Sequence, residues 1–193
     1  QGSEQAEWME RLEVEHDNLR TALDWCSGDA NETETGLRLV NVLWWFWMVC
    51  GYCAEGRAWI KGLLFKSQDA TDLRASVLNG LGTLAAHEGD YAAARTIYEE
   101  SLALRREMGN RSGIATGLIN LGLLIQNQGD YTLAHSLYSE SLAISRELGL
   151  ENLIATALNN LGVLSSLKKD FVAARNFHEE CLSIRQQLGD QRS

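Results

Sequence analysis

The residues able to do chemistry are few and scattered. Cys50-Gly51-Tyr52-Cys53 forms a C-x-x-C, the spacing of a redox dithiol in which one thiol has a lowered pKa. That chemistry belongs where a strand runs into a helix, and no such pattern surrounds these cysteines. A single C-x-x-C with no second pair and no histidine nearby is also a poor zinc site. Two semi-buried thiols at a turn is the preferred reading, and a thiol-redox protein is the remote alternative. His16, His87, His135 and His178 are far apart, and none has the i, i+4 partner of a helical metal site. The pairs Glu99-Glu100 and Glu179-Glu180 are followed by arginines, the mixed charge of a solvated face rather than a general acid–base pair. Neither a phosphate-binding glycine loop nor a nucleophile elbow occurs. The sequence therefore predicts no enzyme, no cofactor and no metal.

Composition narrows the classes further. The net charge is −9 over 193 residues, which argues against direct nucleic-acid binding, because phosphate contacts need an excess of Lys and Arg. The four cysteines, at 26, 50, 53 and 181, suggest no disulfide framework and point to a reducing, cytoplasmic setting. Proline is absent, which suits an all-helical protein. Gln1-Gly2-Ser3 resembles the residue of a cleaved tag and is set aside. Within the most apolar run, Thr35 to Cys53, the uninterrupted apolar core is only about ten residues, bounded by Arg38 and Asn41 on one side and Gly51 on the other, well short of the roughly 20 a bilayer needs, so no membrane span is expected.

What positions the remaining residues is a repeat. Asn120-Leu121-Gly122, then Gly129-Asp130-Tyr131, Ala134 and Leu142 recur upstream as Leu81-Gly82, Gly89-Asp90-Tyr91, Ala94 and Leu102. They recur downstream as Leu161-Gly162, Lys169-Asp170-Phe171, Ala174 and Leu182. The spacing is 40 residues both times, the signature of a solenoid. Leu118, Leu121 and Ile125 form one helical stripe. Gly129 ends that helix, Asp130 caps the next, and the short turn makes the pair antiparallel. Gly122 and Ala134 are expected to let the two backbones approach closely.

Asn-Leu-Gly, Gly-Asp-Tyr, Ala, then an aromatic at Tyr98 and Tyr138 with His178 in the third unit, and a small residue at Ser101, Ser141 and Cys181, resembles the tetratricopeptide repeat. The usual period of that family is about 34 residues. The longer period resembles the extended repeats of kinesin light chains, Pins-type adaptors and bacterial regulators. The fold expected is all-α, a right-handed superhelix of antiparallel helix pairs.

Along the chain, residues 4–66 should hold an N-terminal helix, Glu4 to Trp25, and a degenerate first repeat. Aligning Gly51 with Gly89 places Cys53 on Tyr91 and Gly56 on Ala94, while Trp44 falls on Gly82. This suggests a size swap between Trp44 and Gly56, with the tryptophans as core. A ligand pocket lined by Trp45 and Trp47 is the less favoured reading. Residues 67–193 should hold three regular units, about 72–109, 112–149 and 152–189, and the start of a further one. The array lacks a polar cap there, so the chain reads as a fragment. Its last helix, with Phe171, Ala174, Phe177 and Leu182, should expose apolar surface and favour self-association.

The resemblance places a peptide-binding concave groove on the first helices of each unit. Its positions are Asn79, Thr83 and His87; Asn120, Leu123, Gln126 and Asn127; Asn159, Asn160 and Ser166, with Ser76, Ala86, Thr116, Ile119, Thr156 and Val163 beside them. Amides both donate and accept, so Asn120 and Asn160 suit a peptide backbone; bracing of neighbouring helices is the alternative. The groove has no Lys, which disfavours the carboxylate clamp of chaperone adaptors. Residues 4–64, with Glu10 to Trp25, Trp45-Phe46-Trp47 and Gly56-Arg57-Ala58-Trp59, also resemble the repeat region of bacterial signal-transducing ATPases, including LuxR-type regulators. That resemblance implies a sensor arm responding to a protein, a peptide or a small-molecule inducer. A freestanding adaptor is the alternative.

Overall fold

The computed structural model describes residues 2–29, 32–67, 69 and 71–190. Among them are ten helices and no strand: α1 (Gly2–Val14), α2 (His16–Gly28), α3 (Thr33–Val49), α4 (Cys53–Lys66), α5 (Asp72–His87), α6 (Tyr91–Glu107), α7 (Arg111–Asn127), α8 (Tyr131–Leu148), α9 (Glu151–Leu167) and α10 (Phe171–Asp190). Successive helices pack on each other, α2 on α3, α3 on α4 and α4 on α5 in one unit and α7 on α8, α8 on α9 and α9 on α10 in the other, the all-α, antiparallel helix-pair packing expected. The chain divides into two compact units, Gln1–Ile97 and Tyr98–Ser193.

The turn chemistry accounts for the helix boundaries. Gly89, Gly129 and Gly149 have φ of 82°, 88° and 66°, the left-handed conformation that closes a helix without a Cβ penalty. Gly51, aligned with Gly89, has φ 80°, so the α3–α4 turn matches that of the regular repeats. Lys169 occupies the same position with φ 64°. Asp90, Asp130 and Asp170 then cap the following helices by accepting from the amides of Ala93, Leu133 and Ala173 at 3.2, 3.0 and 3.0 Å.

In the second unit, Ser141 Oγ donates to the Ala115 carbonyl at 2.8 Å and Cys181 Sγ to that of Ala155 at 3.2 Å, so the small-residue position ties each second helix to its first. The role of Gly122 differs from expectation. A Cβ there would lie 2.6 Å from the Tyr138 ring, and one on Gly162 would lie 2.6 Å from the His178 ring. The space over each glycine holds a ring of the second helix.

In the first unit the size swap is present with a different partner. Trp47, not Trp44, lies against Gly56, and Trp44 lies on Gly80 of α5. Leu43, Phe46 and Trp47 are core, whereas Trp45 is 40% exposed. Trp47 therefore serves as core, while Trp45 faces outward. The stretch Glu4 to Trp25 is two helices that meet at Glu15. His16, which opens α2, is buried; it packs edge-on at 5.2 Å from Phe46 and tilted at 4.4 Å from Tyr52, and meets Glu55 Oε1 at 3.2 Å. Arg20 forks onto the same carboxylate and holds Glu55 below the usual carboxylate range. At the other end α10 continues through Gly189 to Asp190, so Gly189 does not end the helix. Residues 191–193, expected to open a further repeat, lie outside the described residues.

Two substitutions test this packing. Gly122→Ala forces a methyl into the Tyr138 ring and should cost about 1–3 kcal/mol in urea unfolding. Lys169→Gly relieves a left-handed non-glycine residue and should stabilise by up to about 1 kcal/mol, raising the melting temperature.

Candidate functional site

The residues expected to form a groove lie on first helices, in both compact units. In the second unit Asn120, Leu123 and Asn127 are spaced i, i+3, i+7 along α7, and Asn160, Val163 and Leu167 repeat that spacing on α9. Helices α7 and α9 touch each other. Their buried sides carry Leu118, Leu121 and Ile125, and Leu158, Leu161 and Leu164. The rows themselves face outward: Leu123, Val163 and Leu167 are 46%, 36% and 51% exposed. Asn120, Asn159 and Asn160 are half-buried, and Asn127 and Ser166 are exposed.

Several of these side chains have structural duties. Gln126 Oε1 accepts a hydrogen bond from the Tyr138 hydroxyl at 3.2 Å. Burial pushes the Tyr138 pKa well up, so it remains a donor. Thr116 and Thr156 donate back to the carbonyls of Ser112 and Asn152. Ile119 is buried and lies off the face. Leu167 belongs to the row although the repeat pattern does not single it out.

In the first unit Asn79 and Thr83 are half-buried on α5, and the Thr83 hydroxyl donates to the Asn79 carbonyl at 3.0 Å. His87 is exposed at the helix end, its Nδ1 3.7 Å from Cys53 Sγ. On α3, Val42, Trp45 and Val49 are exposed. In the Gly51–Gly89 alignment, Trp45 and Val49 occupy the register of Thr83 and His87.

The cysteines lack the features of a redox pair. Cys50 and Cys53 are both free thiols. Desolvation pushes both pKa values up, opposite to the activation a nucleophilic thiol needs. Cys53 Sγ donates to the Trp47 carbonyl at 3.7 Å, inside the helix pair. No group of three or more His, Cys, Asp or Glu able to hold a metal lies among the described residues, and no helix there is long and apolar enough to cross a membrane.

Charge avoids the α7–α9 face. Residues 112–127 and 152–167 contain no Asp, Glu, Lys, Arg or His. Between second helices, Arg106 pairs with Glu140 and Arg146 with Glu180, each exposed and each worth at most about 1 kcal/mol.

Comparison with known proteins agrees with this architecture. Two family models, both described as tetratricopeptide repeat, match residues 113–187 and 74–108. Among solved structures the chain is similar to BtubC (BKLC) from P. vanneervenii, with TM-score 0.77 and 25% identity over 93% of this chain and 74% of that one. It is similar to MamA at TM-score 0.69 and 18% identity, over 94% and 96% of the two chains. A Rap protein complexed with Competence and Sporulation Factor gives 0.74 and 14%, over 94% of this chain and 53% of that one. No curated protein matches the sequence.

The thiol chemistry can be checked directly. At pH 7 Ellman's reagent should label Cys50 slowly and leave Cys26, Cys53 and Cys181 unreacted until denaturant is added. A fast reaction at Cys50 or Cys53 would restore the redox reading.

Proposed function

We propose, from the premise that residues 74–108 and 113–187 are tetratricopeptide repeats, that this chain is a non-catalytic module binding a protein or peptide on its first-helix faces. The observation that carries the reading is the paired outward row on α7 and α9. There, half-buried Asn120 and Asn160 recur at equal register beside exposed Leu123 and Val163, while Leu118, Leu121, Leu158 and Leu161 are buried. Such a surface can bond a peptide backbone and cover apolar side chains at once. The Asn79–Thr83–His87 positions of α5 would serve the first unit in the same way.

The module's place is the sensor arm of a larger bacterial signalling or transcription regulator, acting in the cytoplasm. The support is the resemblance of residues 4–64 to the repeat region of signal-transducing ATPases. A small-molecule inducer and self-association belong to the same reading. On α10, Leu182 is 57% exposed whereas Leu142, at the same register on α8, is 8% exposed. The second reading is a freestanding adaptor. A P-loop encoded upstream in the same reading frame supports the regulator, and its absence supports the adaptor.

Replacing Asn120 and Asn160 together by Ala removes two sets of amide hydrogen bonds, each worth about 0.5–1.5 kcal/mol. Affinity for a partner recovered from the native host should drop about 5- to 100-fold with little change in melting temperature. Unchanged affinity would remove the groove assignment.

A further inference from the structure

Helix α10 repeats a pair of residues that, earlier in the same unit, already has an occupant. The pair is Leu102 and Arg105 on α6, Leu142 and Ser145 on α8, and Leu182 and Arg185 on α10, each 40 residues after the last. The turns after the first two are alike. The amide of Asn110 donates to the Arg105 carbonyl and that of Leu150 to the Ser145 carbonyl, both at 2.9 Å.

The α6 pair shows what fits an arginine there. Leu102 and Arg105 are buried, and the first turns of α7 lie against them. A Cβ on Gly113 would lie 2.8 Å from Arg105 Cδ, and one on Gly117 would lie 2.7 Å from Leu102 Cδ2. Arg105 Nη1 also donates to the Gly113 carbonyl at 2.9 Å, which has a second lone pair to offer. Two long side chains are thus met by two glycines. At α8 the sizes change places. Ser145 stands where α6 has arginine, and Leu153 and Ala157 of α9 stand where α7 has Gly113 and Gly117. Leu142 and Ser145 are buried as well. The volume is conserved, with the bulk moved from the second helix to the following first helix.

Helix α10 carries the α6 pair, not the α8 pair. Leu182 is 57% exposed, and Arg185 is exposed. Beside Arg185, between the last turns of α10 and the first turns of α9, lies a recess of about 340 Å³ bounded by Asn152, Thr156, Arg185 and Leu188. That is the end of the helix pair at which α7 begins its own contact with Arg105.

We infer that the α10 face is a docking site for a helix of a partner protein with glycines four residues apart in its first two turns. Those glycines seat on Arg185 and Leu182 as Gly113 and Gly117 seat on Arg105 and Leu102, and Arg185 donates to a carbonyl of the incoming helix. A leucine at the first glycine position meets the arginine stem and is rejected, so Arg185 sets the specificity. This site lies on a second helix and is separate from the α7–α9 face. Self-association is the rival occupant, and it fits poorly. A second α10 would bring the same large pair where glycines are needed, and the α7 glycines of a second copy are covered by its own α6.

The test uses the full chain and a synthetic copy of residues 110–127, dye-labelled and stapled across Thr116 and Asn120 to hold it helical. A second peptide carries Gly113→Leu and Gly117→Ala, the α9 residues at those positions. Anisotropy titrations compare the wild type with Arg185→Ser and Leu182→Glu. Both positions are exposed, and thermal melting verifies that each variant folds. The glycine peptide should bind the wild type at least about tenfold more tightly than the second peptide. Arg185→Ser should remove that preference, and Leu182→Glu should abolish binding of the glycine peptide. Equal affinity for the two peptides, a preference that Arg185→Ser leaves intact, binding that survives Leu182→Glu, or no binding would each overturn the inference. So would a wild-type dimer that Leu182→Glu dissociates and the glycine peptide does not. None of these outcomes bears on the α7–α9 face, which the Asn120 and Asn160 substitutions test by themselves.

Discussion

A side-chain ring resting where the facing helix has only a hydrogen sets the geometry of the repeats. Tyr138 fills the space over Gly122 and His178 that over Gly162, so the two helices of each pair are spaced by the thickness of a ring. A glycine inside a helix costs about 0.5–1 kcal/mol. Fully burying a large apolar side chain returns about 1.5–3 kcal/mol, so the exchange is favourable while the ring stays buried. The α3–α4 pair uses the same exchange with the roles reversed: Trp47 comes from the first helix and Gly56 from the second. The volume is conserved while the residue types change places, and this is how a pair lacking the repeat's signature residues still packs like its neighbours.

The ring also connects the core to the surface. A buried tyrosine must place its hydroxyl, and that of Tyr138 reaches Gln126, at the edge of the α7–α9 face. The amide so fixed borders the apolar row that contains Leu123. The edge of this face is therefore fixed from inside the helix pair rather than by a loop.

How much of this could be read from the sequence follows from which interactions are local. The period, the left-handed turns and the aspartate caps were readable because each depends on residues within one turn; even Lys169 was placed correctly, by position against Gly129. Contacts between helices were less readable. Ala134 and Tyr138 lie one turn apart on α8, and either could have faced Gly122; only the antiparallel packing chooses Tyr138. Trp44 and Trp47 were confused for the same reason. The bend at Glu15 was hidden because apolar spacing continues through it, and its cause is tertiary: His16 packs against Phe46 and Tyr52. Gly189 matches Gly149 in type but not in conformation, since glycine permits the left-handed state without imposing it. At the candidate site the outward positions followed from the helical register. The commitment of Gln126 to Tyr138 and the burial of Ile119 did not, because both are decided by neighbouring helices.

The distribution of charge gives these separate observations a common sense. A solenoid must present two surfaces, and a protein of net charge −9 could spread its ionic groups over both. Here exposed pairs at constant register join second helices, such as Arg106–Glu140 and Arg146–Glu180. Those pairs add little stability, and residues 112–127 and 152–167 of the first helices carry no charge. An exposed row of Leu123, Val163 and Leu167 without charge on its own helices is a liability unless something covers it. The half-buried amides beside it let a backbone do the covering without leaving its polar groups unpaired. Residues 112–127 and 152–167 thus stay neutral while exposed ion pairs link the second helices, and the Tyr138 ring sits over Gly122 between α7 and α8.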